Sequence, residues 1–211
     1  MLHDQDARSA LGKTLRQRYD SRIKYKEDYW LWKLWPTKGS LVWDDVIWLS
    51  NRETSFATLA HESGHVQDQE KMGLFNFALR YFQPQWLAII PLVFMIAGIG
   101  FSLTWAWIAG LVATIAMVMP WPSKQRVALE LNAELLNMAV CYWEHKKIPE
   151  DYKQKIVDSL CGWAYYKMIW WGRRDLEYQI DDIAYRIINE HDQLMENQAY
   201  SDAYKAFYGT T

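Results

Sequence analysis

Hydrophobic and polar positions change their spacing several times along the chain, and each change marks a predicted element. Residues 4 to 28 are polar and mostly helix-compatible, with Arg8, Lys13, Arg16, Arg18, Arg22, Lys24 and Lys26 interspersed with acidic residues. This segment reads as a solvated helix or as a surface resting near anionic lipid. From Tyr29 the texture changes. Tyr29, Trp30, Trp32 and Trp35 precede a turn region at Pro36 and Gly39, and the β-branched and aromatic runs 41–43 and 46–49 predict short strands about an Asp44-Asp45 turn. They are either core strands or an edge that pairs with the backbone of an extended substrate. Ser50 with Glu53 has the pattern of a capping box, so a helix is predicted over 51–71, stopped by Gly73.

No charged residue occurs from Tyr81 to Ser123, and 86–119 is almost wholly apolar. A membrane span needs roughly 20 such residues. This stretch is longer, is broken by Gly98 and Gly100, and is flanked by Lys71 and Arg80 on one side and Lys124 and Arg126 on the other. The expectation is a helical hairpin (candidate helices 85–97 and 101–119) inserted in a bilayer. Its turn falls near Gly98 and Gly100, and both ends lie on one side. The first helix would rise only about 20 Å against a hydrocarbon core of roughly 30 Å. A re-entrant hairpin, a single tilted span and a hairpin buried in a water-soluble core are the alternatives. Beyond it, Ser123 starts a helix, and Pro149 starts another that runs to about Trp171, before Gly172. In 174–191, Ile180, Ile183, Ala184 and Ile187 form a core-facing stripe. The tail carries Tyr200, Tyr204, Phe207 and Tyr208, enough to dock.

Composition adds limits. At 211 residues the chain suits one domain with a sizeable core. Its 23 basic and 25 acidic residues leave no electrostatic footprint for nucleic acid. Cys141 and Cys161 are far apart and read as small hydrophobes in a reducing compartment, not as a disulfide scaffold. The first thirty residues lack the apolar run of a signal peptide. Thirteen Trp and thirteen Tyr suit cores, membrane edges and interfaces, a homo-oligomer among them.

The chemistry centres on His61-Glu62-Ser63-Gly64-His65. Positions i and i+4 share a helix face, so both imidazoles can turn toward one metal ion, with Glu62 beside it to take a proton from water. Catalytic zinc normally takes a third protein ligand and keeps one open position. Among the other histidines, His145 sits at a polar helix end. The better candidate is Glu130 in the segment Glu130-Leu131-Asn132-Ala133-Glu134, where Ala133 permits close packing against another helix. Glu130 and Glu134 are one turn apart, and two carboxylates on an otherwise apolar helix need partners. Glu130 is then the ligand, and Glu134 bonds the outer nitrogen of His61 or His65. Alternatively Glu134 is the ligand and Glu130 pairs with Arg126, or both lie on a wet face. Oxyanion donors are sought among Tyr165, Tyr166, His191 and Arg173.

With these residues in place, the chain resembles the gluzincin class of zinc metallopeptidases. Its layout is similar to the integral-membrane HtpX, Ste24 and Oma1 families, in which HExxH and a later Glu-x-x-Ala-Asp segment flank a membrane hairpin. Glu134 stands where those families have Asp. The stretches 65–68 and 81–84 also look like small HExxH proteins of phages and bacteria. The resemblance covers about residues 40 to 140. It implies a mainly α (α+β) fold with a zincin-like core: short strands, the HExxH helix and the apolar hairpin. The expected division is a basic helical segment 1–28, a metallopeptidase core 29–148 including the hairpin 86–119, and a C-terminal helical region 149–211. The implied function is a zinc-dependent metallohydrolase, a peptidase with a polypeptide substrate and Glu62 as general base. The alternative is an inactive structural or membrane-associated phage protein on the same fold. The implied placement is at a membrane, with the zinc site on the cytoplasmic side, or in a virion.

Overall fold

The computed structural model describes residues 4–29, 40–82, 89–100, 104–118, 123–162 and 172–209. Helix α1 (Asp4–Tyr19) is not merely solvated. Ala7, Leu11 and Leu15 recur every four residues, and that stripe is buried in the core. Directly after it comes a strand that the run of basic residues conceals, β1 (Arg22–Tyr25). Its alternation of Arg22 and Lys24 with Ile23 and Tyr25 suits a half-buried strand. Strands β2 (Leu41–Trp43) and β3 (Val46–Leu49) form the expected hairpin, and Asp44 supplies its turn with a φ of 54°. The sheet order is β1-β3-β2. Strand β1 runs parallel to β3 with Ile23 opposite Ile47, and β2 runs antiparallel with Val42 opposite the same residue. Parallel partners need a long connection, here through residues 26–45, so no local signal announces the pairing.

Helix α2 (Phe56–Met72) begins five residues later than the capping-box pattern suggests. Ser55 is its N-cap and accepts the Thr58 amide at 3.3 Å. Ser50, Asn51 and Thr54 bond one another in a preceding turn, and Arg8 donates to the carbonyls of Arg52 and Thr54. A side chain that bonds its own loop withdraws the backbone from a helix. At the far end Gly73 stops α2 with φ 78° and returns its amide to the Gln69 carbonyl at 2.8 Å. That residue, at a positive φ open to glycine, turns the chain into α3 (Leu74–Tyr81), which packs on both α2 and α6 (Lys124–His145). Ser123 caps α6 by accepting the Arg126 amide at 3.3 Å.

The remaining helices are α4 (Ile89–Gly100), α5 (Thr104–Val118), α7 (Glu150–Cys161), α8 (Arg173–Asn189), α9 (His191–Leu194) and α10 (Gln198–Tyr208). The stripe of α8 is buried as predicted, and Leu176 extends it. Helix α7 ends at Cys161, earlier than expected. The predicted continuation toward Trp171 falls on 163–171, outside the described residues. Both cysteines are free and half-buried. One hydrophobic core unites α1, the sheet, α2, α6, α7, α8 and α10, with Trp143 set against Tyr200, Tyr204 and Phe207.

The membrane expectation is corrected here. Among the described residues no helix is long and apolar enough to cross a membrane. The apolar stretch yields α4 and α5, of 12 and 15 residues. At 1.5 Å per residue both fall short of a hydrocarbon core of roughly 30 Å. The membrane-inserted hairpin with its transmembrane helix, and the membrane-associated or virion placement, are therefore withdrawn. The two helices pack on each other, with Gly110 so close to the backbone of Met95 that a Cβ would lie 2.7 Å from its nitrogen. Gly98 and Gly100 belong to α4 itself.

Candidate metal centre

The site is built where α2 crosses α6. These helices approach at Gly64, where a Cβ would lie 3.0 Å from the Cα of Ala133 and 3.2 Å from Leu136. The two positions flank the chemistry: Gly64 precedes His65, and Ala133 precedes Glu134. Small residues at the crossing let the longer side chains beside them meet in the space between the helices.

His61, His65 and Glu130 are brought together, each with one ligand atom within 4.8 Å of the others, and all three are buried. Oε2 of Glu130 lies 3.6 Å from Nε2 of His61 and 3.7 Å from Nε2 of His65. Ligand atoms around a tetrahedral zinc with bonds of about 2.1 Å are spaced about 3.4 Å apart, so both Glu130–histidine separations are close to what such an ion needs. The orphaned atom agrees with the fit. Oε2 of Glu130 is buried and has no hydrogen-bond partner, although Glu130 is only 1% exposed. A buried carboxylate oxygen facing two imidazole nitrogens is the donor set that a divalent cation satisfies.

Surrounding residues orient the triad. Oε1 of Glu130 accepts a 2.6 Å hydrogen bond from the Tyr81 hydroxyl, which leaves Oε2 to face the histidines. The guanidinium of Arg126 stacks 4.7 Å from the centre of the Tyr81 ring, and that ring meets His65 edge-on at 5.9 Å. On the other side, Oε1 of Glu134 faces Nδ1 of His61 at 3.5 Å while Asn137 donates to its Oε2 at 3.0 Å. A carboxylate at Nδ1 favours the tautomer whose Nε2 lone pair is free for a metal.

Protonation follows from the crowding. For His61, burial works against the cation, but the facing Glu130 carboxylate and the charges of Glu134 and Glu62 outweigh it. They push its pKa up to about 9 without a metal. Burial also opposes the charged form of Glu130, yet His61 and His65 hold it well below the usual carboxylate range. Burial raises Glu62 above an ordinary glutamate, and the histidines and Lys26 pull against that rise. Tyr81 is raised well above a free phenol by burial and by Glu130, so its hydroxyl keeps the proton it donates.

The other expected site residues lie elsewhere. His191 bonds the Tyr200 hydroxyl at 3.0 Å in the aromatic cluster, and Arg173 pairs with Asp158 and Glu177 on the outside. Tyr165 and Tyr166 lie outside the described residues. His145 is exposed beside Glu144. The alternatives for the carboxylates resolve in favour of contact. Glu130 joins the triad, Glu134 faces His61, and neither sits on a wet face. Sequence reasoning missed Tyr81 and the buried Lys26, whose charge reaches Glu62 from the 3-10 turn Lys26–Asp28. Phe77 and Tyr81 at i,i+4 are the one local hint for the first. For the second there is no local signal, because a lysine in a basic run gives no sign of burial.

A buried His-His-Glu triad on two crossing helices, beside a short sheet in a mostly helical fold, is consistent with a zincin-like active site. Compared with protein-family models, curated proteins and solved structures, the chain matches none. The resemblance to the membrane metallopeptidases therefore stops at the triad and the fold class.

Proposed function

We propose that the protein is a zinc-dependent metallohydrolase, acting on peptide bonds of a polypeptide substrate. The observation that carries this reading is the convergence of His61, His65 and Glu130 on one point, with Glu62 buried next to His61 in sequence and electrostatically coupled to all three. His61, His65 and Glu130 hold the ion, and a bound zinc supplies Lewis acidity to a carbonyl and to a water. Glu62 does the proton work. It takes the proton of the attacking water and delivers it to the leaving nitrogen, a task that suits a carboxylate whose pKa burial raises. Glu134 and Tyr81 keep His61 and Glu130 in their orientations.

A second reading has its own support: all three ligands are less than a tenth exposed, as in structural zinc sites. Metal analysis and one variant separate the two. The zinc reading expects about one zinc per chain after metal-replete purification, and less than roughly 0.2 sinks it. Glu62→Gln is expected to keep the metal and lose hydrolysis of a casein or peptide-library substrate. Wild-type protein that binds zinc and cleaves nothing assigns the ion a structural role.

A further inference from the structure

A groove of about 590 Å³ opens between α1 and β1 and includes none of the triad residues. Arg8, Lys13, Arg16, Arg22 and Lys24 line it, and no carboxylate among the described residues does. The α1 members repeat at helical spacing, on a face beside the buried Ala7-Leu11-Leu15 stripe. Among the described residues, Arg22 alone of these five has an ion pair. Arg22 has Asp45 at 2.6 Å, but Arg8 is held by two neutral backbone carbonyls and Lys24 by the rings of Tyr29 and Trp48.

Ser21 supplies a second, independent observation. It lines the same groove, is only 2% exposed, and its hydroxyl has no hydrogen-bond partner. Buried hydroxyls are almost always bonded, so one without a partner on a residue that lines a cationic groove has the position of a ligand contact. The volume lies in the range of small-molecule sites. Guanidinium groups suit planar or tetrahedral oxyanions, and several cations over one small volume suit a concentrated charge better than a single carboxylate.

We propose that the groove is a binding site for a small phosphate-bearing anion of two or more charges, separate from the metal centre. Arg8, Arg16 and Lys13 hold the phosphate oxygens, and the Ser21 hydroxyl donates to one of them. The chain's near-zero net charge conceals this site, because the described lining of the groove holds basic residues and no acidic ones.

Titration calorimetry of the full chain with inorganic pyrophosphate at fixed ionic strength tests it, with an acidic peptide and sulfate as parallel arms. Binding of pyrophosphate is expected, weakened at least about tenfold in Lys13→Ala/Arg16→Ala, whose altered side chains are exposed and outside the core. Ser21→Ala is expected to melt at the same temperature as wild type or higher without ligand, since it removes an orphaned group, and to lose much of the ligand-induced rise. Zinc content is measured in the same samples. It is expected to stay unchanged in the variants, so failure here leaves the metal reading untouched, and the reverse also holds. Absence of pyrophosphate binding, or equal binding by wild type and the double variant, overturns the proposal. Binding of the acidic peptide without pyrophosphate also overturns it and assigns the groove to a polypeptide.

Discussion

Glu130 is the residue on which the site turns, and Tyr81 decides how it presents itself. One oxygen is taken by the Tyr81 hydroxyl at 2.6 Å and the other faces both imidazoles. Removing the hydroxyl leaves Oε1 without its donor and lets the carboxylate rotate. Tyr81→Phe is therefore expected to lower zinc affinity about 10–100-fold, the usual cost of losing a partner behind a ligand. The ring and its stacking under Arg126 are kept, so the fold should survive. Competition with a chromogenic chelator measures the change, and wild-type affinity in the variant would show that Tyr81 does not hold Glu130. In the sequence Tyr81 only opens the uncharged stretch and belongs to the segment 81–84. Its role depends on a contact 49 positions along the chain, and nothing near it in sequence names the partner.

At the level of elements, the crossing of α2 and α6 sets the ligand geometry. Gly64 faces Ala133 with no room for a larger side chain, since even a Cβ would meet backbone at 3.0 Å. Gly64→Val inserts three carbons at the point of closest approach and pushes the helices apart, because backbone cannot yield as a flexible side-chain end does. The expected result is destabilisation of about 1–3 kcal/mol with loss of most zinc binding. Denaturant unfolding and metal analysis on the same preparation check it. A destabilised variant with full zinc content would mean the helix spacing does not position the ligands. The HExxH register and the later glutamates were readable in the chain because i,i+4 spacing is a local property of a helix. The start of α2 was not, because Ser50, Asn51 and Thr54 spend their polar groups on each other and on Arg8, a partner more than 40 positions away.

For the whole molecule, the charge state of the site couples metal binding to stability. His61 is raised to about 9 in the folded, metal-free chain against an ordinary value of 6.5. Its contribution to stability is thus fully present below about pH 6.5 and is lost as pH rises through about 9. Zinc requires the neutral imidazole and competes with that proton, so its affinity rises over the same window. A ligand that binds only the folded state stabilises it in proportion to the logarithm of concentration over Kd. The zinc-induced rise in melting temperature is therefore expected to grow from pH 6.5 to pH 9, while the chelator-treated protein becomes less stable. Thermal melts with and without chelator at three pH values measure both trends. A zinc-induced shift that is flat or shrinks with pH would remove His61 from the ligand set.

What the sequence by itself determined was the chemistry available and the local geometry that offers it. Two histidines one turn apart, a glutamate between them, and two further glutamates beside Ala133 are written in the chain. So are the β-hairpin at Asp44, the stop at Gly73 and the buried stripe of α8. Tertiary structure alone decided three things. It placed β1 parallel to β3, it brought Tyr81 back onto Glu130 through the turn at Gly73, and it drew the basic face of α1 against β1 to form a groove. Among the described residues it also left no helix long and apolar enough to cross a membrane, since the long uncharged stretch gives α4 and α5 of 12 and 15 residues. The physical reason is common to all four. Hydrophobic period and capping act over a few residues, whereas pairing, burial and where a helix breaks depend on groups that meet only after the chain has folded.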